Sequence, residues 1–545
     1  MGMMSDAALD RGLAPAHSPR PDLDRRPHSF GAIAFILVLA GGLAYAAFSI
    51  AGDVGAAGQH EIATAALVLL GIALLTALGF EFVNGFHDTA NAVATVIYTH
   101  SLPPLTAVVW SGFWNFLGVL TSSGAVAFTV VTLLPVELIL QVGSGAGYAM
   151  IFALLIAAVI WNLGTWAMGL PNSSSHALIG SIMGVGIANQ LLAPEGQNTS
   201  GVDWAQAVGV LESLLISPMI GFVLAALLLL AMKFVVRNPA LYRAPEGNKP
   251  PPAPIRALLV LTCTGVSFFH GSNDGQKGMG LIMLILIGAV PTAYALNRSM
   301  PESATPAFLE TTRQAQSVFE AHAGGASPPA SAAAARGVIG DALKTRQVGS
   351  PEVFAALATL TADISRQVQS YGAIRAVPAS VTANVRNDMY LTSDAVRVMG
   401  QHPPGFSEAE LASLKSLRAA LDHSTKFIPT WVKVSVALAL GLGTMVGWKR
   451  IVVTVGEKIG KTHLTYAQGA SAEIVAMATI GMADVYGLPV STTHVLSSGV
   501  AGTMTANGSG LQWATVRNLA MAWVLTLPAA IVIAGSLYVI FRQVF

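Results

Sequence analysis

Read for hydrophobic and polar positions, the chain alternates long apolar runs with short polar breaks. Apolar stretches of about 18 or more residues with few charges predict spanning helices, because about 20 residues cross the hydrocarbon of a bilayer. Such runs occupy 31–51, 62–80 (continuing towards 98), 105–122, 147–168, 213–236, 257–290, 427–448, 464–488 and 514–540. Two more segments, 171–192 and 489–508, are apolar but rich in Ser and Thr and open with proline. They read as full crossings, broken helices or re-entrant hairpins. A run at 124–141 is weakened by Pro135 and Glu137. The pattern predicts an all-α, polytopic integral membrane protein with about 10–12 transmembrane segments.

Lysines and arginines in short loops set the orientation. The loop 233–256 carries Lys233, Arg237, Arg243, Lys249 and Arg256, and the loop 449–461 carries Lys449, Arg450, Lys458 and Lys461. Both are expected in the cytoplasm, with the arginine-bearing N-terminus. The segment 298–424 has nearly balanced charge, and its stretches 351–370 and 405–422 look helical. Parity between the two basic loops places it outside, as a soluble, periplasmic helical insert. The expected organisation is a polar tail (1–30), an extra helix (31–51), a first repeat (62–236), a basic loop (237–256), the start of a second repeat (257–297), the insert (298–424) and the rest of the second repeat (425–545).

The repeat is visible in the residues. The first half reads Gly85-Phe86-His87-Asp88-Thr89-Ala90-Asn91 and later Pro171-Asn172-Ser173-Ser174-Ser175-His176. The second reads Gly271-Ser272-Asn273-Asp274-Gly275-Gln276-Lys277 and later Pro489-Val490-Ser491-Thr492-Thr493-His494. Counting the Ser/Thr segments as crossings gives about five per half, an odd number, which predicts halves of inverted topology.

Composition agrees with the pattern. Of 545 residues, 53% are hydrophobic and only 10% charged, and the mean hydropathy is +0.61. A net charge of +1 with no basic face argues against nucleic-acid binding. The lone Cys263 excludes a disulfide framework. The N-terminus does not read as a cleaved signal, since about 30 polar residues precede the first apolar run.

Charged side chains inside spanning segments are costly and mark function. Asp88 and Asp274 end long apolar runs at matching places, each preceded by glycine and a possible ligand, His87 or Asn273. The glycines predict helix unwinding or close backbone approach. Capping at the membrane surface is the alternative for one aspartate; two in register point to a site. Pro-x-Ser-Ser/Thr-Ser/Thr-His suits an anion at a helix start, where hydroxyls, free N–H groups and the helix dipole favour negative charge. Ordinary N-capping explains either motif alone. His176 and His494 read equally as proton carriers or packing donors. Glu473 is a further carboxylate in an apolar segment, a candidate for a cation or proton against a paired structural role. Trp110, Trp114, Trp161 and Trp166 read as packing and interface anchors.

These residues resemble the inorganic phosphate transporter (Pit) family, whose signature in each repeat is Gly-Ala-Asn-Asp-Val-Ala-Asn. The resemblance covers about 62–540 and includes Asn91-Ala-Val-Ala-Thr-Val-Ile-Tyr98, Gly275-Gln-Lys-Gly-Met-Gly280 and Pro489-Val-Ser-Thr-Thr-His494. It implies a non-enzymatic symporter of the bacterial low-affinity branch, in the inner membrane, importing phosphate with a proton and a divalent metal such as Mg2+ or Ca2+. No resident cofactor is implied, and a homodimer is left open. Substrate binding falls to Asp88, Asn91, Ser173, Ser174, Ser175, Asn273, Asp274, Ser491, Thr492 and Thr493. The coupling ion or proton falls to Asp88, His87, Lys277, Glu473, His176 and His494, and the metal to Asp88 and Asp274. Asp88 is favoured over Asp274 to exchange the proton, because Lys277 stands three residues from Asp274.

Three departures bear on coupling. His87 replaces Asn in the first signature, Lys277 replaces the last Asn in the second, and Asn115 stands where sodium-coupled relatives carry glutamate. An ammonium in place of a neutral ligand repels sodium, which favours protons. The potential agrees: one elementary charge through ~100 mV is worth about 2.3 kcal/mol, so a neutral metal–phosphate complex plus one proton is driven inward. Sodium-coupled phosphate transport and sulfate transport are the alternatives in this class. An intramembrane Ser/His hydrolase is disfavoured because a nucleophile–base pair is asymmetric and these motifs are duplicated. No Gly-x4-Gly-Lys-Ser/Thr motif points to ATP-driven transport.

Overall fold

A computed structural model describes residues 21–24, 29–57, 64–134, 136–140, 144–194, 201–245, 247, 249–401 and 405–545. Among them the chain is helical, without strands. The first half comprises α1 (Ser29–Ala56), α2 (Thr64–Tyr98), α3 (Pro104–Thr121), α4 (Ala125–Val131), α5 (Val136–Leu140), α6 (Gly145–Ala167), α7 (Ser174–Leu191) and α8 (Trp204–Val235). The second opens with α9 (Ala253–Ala289) and α10 (Pro291–Tyr294). The insert follows as α11 (Thr305–His322), α12 (Ala332–Thr345), α13 (Pro351–Tyr371), α14 (Ala379–Gln401) and α15 (Glu408–Thr425). The chain then completes the second half as α16 (Thr430–Thr444), α17 (Lys449–Val453), α18 (Tyr466–Val485), α19 (Thr492–Asn507) and α20 (Trp513–Phe541).

The apolar runs become helices because no run is interrupted early and the ends are marked by caps. Proline occupies the first turn of α3, and Ser173 and Ser491 accept from the backbone N–H of His176 and His494 to start α7 and α19. By length and composition, α1, α2, α6, α8, α9 and α20 can each cross a membrane. Two bent pairs, α3 with α4 (77°) and α15 with α16 (74°), raise the number to eight. This is below the 10–12 expected from the sequence. The difference lies in α7, α18 and α19, whose Gly, Ser and Thr positions lower their hydropathy and which are largely buried in the protein. The 124–141 run resolves into the short helices α4 and α5.

Packing repeats between the halves. α2 lies on α16 as α9 lies on α3, and α7 lies on α20 as α19 lies on α8. Glycine makes these crossings close. A methyl group at Gly85 would overlap the Leu440 carbonyl, and one at Gly443 the Phe82 carbonyl. In the other half, Gly271 meets the Asn115 carbonyl and Gly118 the Phe268 carbonyl. Neither α2 nor α9 unwinds at its motif, so of the two roles expected for these glycines, close approach is the one the fold uses.

Glu81, about two turns before Asp88, rests on Gly278, about one turn after Asp274. Glu473 meets Thr262, before Asp274, and Thr95, after Asp88. The two motif helices therefore pass each other in opposite directions. The insert has its own core, including Phe308, Phe319, Leu357, Leu417 and Leu421. It docks on the bundle through Asp203 at the start of α8, which pairs with Arg346 and, at 3.1 Å, with Arg397. α1 is tied at its end by Asp53, which accepts from Tyr294 (2.8 Å) and Trp431 (3.0 Å).

Candidate functional site

The two motif helices bring Asp88 and Asp274 to one buried centre, and the N-terminus of α7 meets them there. Ser174 Oγ lies 2.5 Å from Asp88 Oδ2, 2.8 Å from Asn84 Oδ1 and 3.3 Å from Asp274 Oδ2. One hydroxyl proton thus faces three acceptors. Thr493, from the first turn of α19, donates to Asp88 Oδ1 at 2.7 Å. His87 Nδ1 is 3.3 Å from the same oxygen, and its Nε2 is 3.2 Å from Thr165. Both hydroxyl loops therefore reach the first aspartate, one from each half.

Asp274 is held differently. Lys277 donates to Asp274 Oδ1 at 2.7 Å, to Ser175 Oγ at 2.5 Å and to the Val490 carbonyl at 3.3 Å. All of these groups are buried. His270, one turn before Asp274, places Nδ1 2.8 Å from Asn115 Oδ1 and Nε2 3.7 Å from Asp274 Oδ2. Its Nε2 has no hydrogen-bond partner. Ligand atoms of Asp88, His270 and Asp274 all lie within 4.8 Å of one another, which suits a divalent cation. Two carboxylates against one ammonium leave the centre with a net charge of about −1, an attraction that a low-dielectric interior strengthens.

The other residues singled out in the sequence distribute around this centre. Ser173 and Ser491 spend their hydroxyls as helix caps. Ser175 donates to the Val490 carbonyl at 2.8 Å, joining the two loops. Asn273 holds the second loop, donating to Leu488 O at 3.0 Å and accepting from Val490 N at 3.4 Å. Thr492 Oγ1 is buried without a partner. His176 and His494 stack with ring centroids 4.6 Å apart, and His494 also packs on Trp523. Glu473 stands apart, bonded to Thr262, about 18 Å along α9 from Asp274. The side chain of Asn91 lies outside the described residues. Trp161 and Trp166 bond to Thr526 and the Gly447 carbonyl, in keeping with anchoring.

Four groups at or beside the centre escaped the sequence reading. Asn84 and His270 stand just before the two aspartate motifs and Asp484 among apolar neighbours, and the fold shows what they face. Asp484 accepts from both Ser272 and Gln276 at 2.6 Å and so locks α18 to the motif face of α9. Glu81 had a signal: it is an ionisable residue inside the apolar run Leu78-Gly79-Phe80-Glu81-Phe82, on the same grounds that singled out Glu473.

Comparison with known proteins supplies the family. Residues 84–534 match the model of the phosphate transporter family. The chain is 41% identical over 503 residues to the low-affinity inorganic phosphate transporter PitB of Escherichia coli K12, covering 89% of this chain and 98% of that protein. It is 42% identical over 506 residues to PitA of the same organism, covering 88% and 97%. Among solved structures, a sodium-dependent phosphate transporter aligns with 88% of this chain and all of its own at a TM-score of 0.47 and 19% identity. With the family match spanning most of the chain and with such relatives over nearly their full length, this multi-pass membrane protein belongs to the phosphate transporter family.

Proposed function

We propose that the chain is a symporter that imports phosphate with a proton, as a neutral complex with a divalent metal such as Mg2+ or Ca2+, by alternating access. The observation that carries this reading is the crowding of acceptors at one buried point. Two carboxylates and an unpartnered imidazole nitrogen converge around a single serine hydroxyl. Such a set is short of positive charge, and a metal cation supplies it. Asp88 and Asp274 hold the metal, while Ser174, Ser175, Thr492 and Thr493 in the first turns of α7 and α19 face the phosphate oxygens. Lys277 occupies the place of a neutral ligand and disfavours sodium by repulsion.

Antiparallel motif helices and the reciprocal packing of the halves support an inverted repeat, in which rocking of one set of helices against the other opens the centre to each side in turn. The basic loops 233–256 and 449–461 favour a periplasmic face of a bacterial inner membrane for the insert. The test is phosphate uptake into proteoliposomes under an imposed pH gradient, with and without sodium and with and without Mg2+. Uptake is expected to follow the proton gradient, persist without sodium and rise with Mg2+; a strict sodium requirement at constant pH refutes the reading.

A further inference from the structure

We propose that Glu81 is the proton-binding site of the transport cycle, set on the outer side of the aspartate centre and separate from it. The proposal rests on the proton-coupled reading above and assigns the proton to a residue. Glu81 is fully buried. Its Oε2 accepts one long bond from Asn84 Nδ2 at 3.4 Å, its Oε1 lies on the backbone of Gly278, and among the described residues no hydroxyl or charged side chain bonds to either oxygen. The carboxylate rests on Gly278, where a side chain of any kind would collide with Oε1, so the backbone of α9 is shaped to admit it. The charged groups acting on it are Asp274 and Lys277 of α9.

An ionised carboxylate buried with so few donors costs several kcal/mol, and a bound proton removes that cost. Asp88 differs here. Ser174, Thr493 and His87 crowd its oxygens, whereas Glu81 has one amide and one backbone contact, which leaves Glu81 the better placed of the two to bear a proton.

The position suits the role. Glu81 lies about 10 Å along α2 from Asp88, towards the helix's N-terminal end. Glu473 lies on the other side, against Thr95 and Thr262, the end that leads to the basic cytoplasmic loops. Two buried glutamates thus bracket the centre, and Glu81 is the outer one. One proton from outer water forms an O–H bond at Oε1. That bond breaks when the site opens inward and the proton leaves to cytoplasmic water. Lys277 links this exchange to cargo. It precedes Gly278 and pairs with Asp274 in the structure, so it sits between the cargo centre and Glu81.

The experiment compares the wild-type chain with Glu81→Gln and Glu81→Asp in proteoliposomes, using radiolabelled inorganic phosphate with Mg2+. Two quantities are read: accumulation under a pH gradient, and phosphate exchange at equal pH on both sides. One co-transported proton is worth a factor of about ten in accumulation per pH unit. Glu81→Gln is expected to lose that factor while keeping exchange near the wild-type rate, and Glu81→Asp to recover part of it. Gradient-driven accumulation at the wild-type level in Glu81→Gln overturns the proposal and leaves proton coupling standing. A wild type that ignores the pH gradient overturns both. If Glu81→Gln also loses exchange, infrared difference spectra of the wild type and Glu81→Asp decide. A protonated carboxyl band that shifts in Glu81→Asp supports the site, and no such band overturns it.

Discussion

Asp88 and Asp274 occupy the same place in the two halves, and their surroundings differ in kind. Asp88 is held by two hydroxyls, Ser174 from its own half and Thr493 from the other, and by the ring of the adjacent His87. Asp274 is tied to a fixed cation, the buried ammonium of Lys277, which also grips Ser175 and the Val490 carbonyl. The two halves each bring one carboxylate to the centre of the bundle, and a lysine pairs with one of them while hydroxyls surround the other.

The sharpest way to break this comparison is Asp274→Asn. It leaves a buried ammonium with only Ser175 and Val490 as partners, and losing one member of a buried pair costs about 3–5 kcal/mol. Folded yield and Tm in detergent should fall markedly. An unchanged Tm means that Lys277 finds another carboxylate, such as Glu81 beside Gly278, and that the two halves differ less than the geometry implies.

Asp88→Asn tests the other side. It keeps the shape and removes one of the two carboxylates of the proposed metal site, so the protein should insert and melt as wild type. Phosphate uptake with Mg2+ should fall by roughly a hundredfold, the upper range for hydrogen bonds to a charged group. Equal losses of Tm in both asparagine variants erase the distinction between scaffold and site.

Ser174→Ala removes the hydroxyl that faces both aspartates, at about 1.5–3 kcal/mol. Thr493→Val removes a bond to Asp88 only and keeps the volume. The apparent affinity for phosphate should drop more in the first variant than in the second. The reverse order places the ligand on the α19 side of the centre.

The smallest effects come from the shared features. Gly85→Ala and Gly271→Ala each push a methyl into a facing carbonyl of the neighbouring helix, with overpacking costs of about 1–3 kcal/mol. Similar losses of Tm are expected in the two. A methyl tolerated on one side alone shows that the halves share sequence pattern without sharing packing.

Much of this was legible in the residues. Matched Gly-x-x-Asp segments and matched hydroxyl-His segments named most of the centre, because an ionisable group or a row of hydroxyls in an apolar run has few other uses. The lysine–aspartate pair followed from a spacing of three on a helix. The limits are equally specific. Ser173 and Ser491 looked like ligands and serve as caps, since a cap and an anion site draw on the same residue types at a helix start. In the insert, the sequence reading picks out 351–370 and 405–422, and α11, α12 and α14, which are at least as amphipathic as 405–422, share the same core.

By itself, then, the sequence determined the class and the ingredients: apolar runs long enough for a bilayer, a duplicated motif, and the chemical kinds of the binding groups. These follow from local physics, since hydropathy, caps and i, i+3 neighbours are fixed by residues close in the chain. The tertiary structure decided which groups meet. His270 and Asn84 enter the centre, Asp484 locks α18 to α9, and Glu473 stands away from the site although it looked as well placed as any. Glu81 and Gly278 are nearly two hundred residues apart and touch only because α2 and α9 run in opposite directions. Contacts of that range depend on helix crossing and register, which come from packing summed over the whole bundle and leave no mark at any one position.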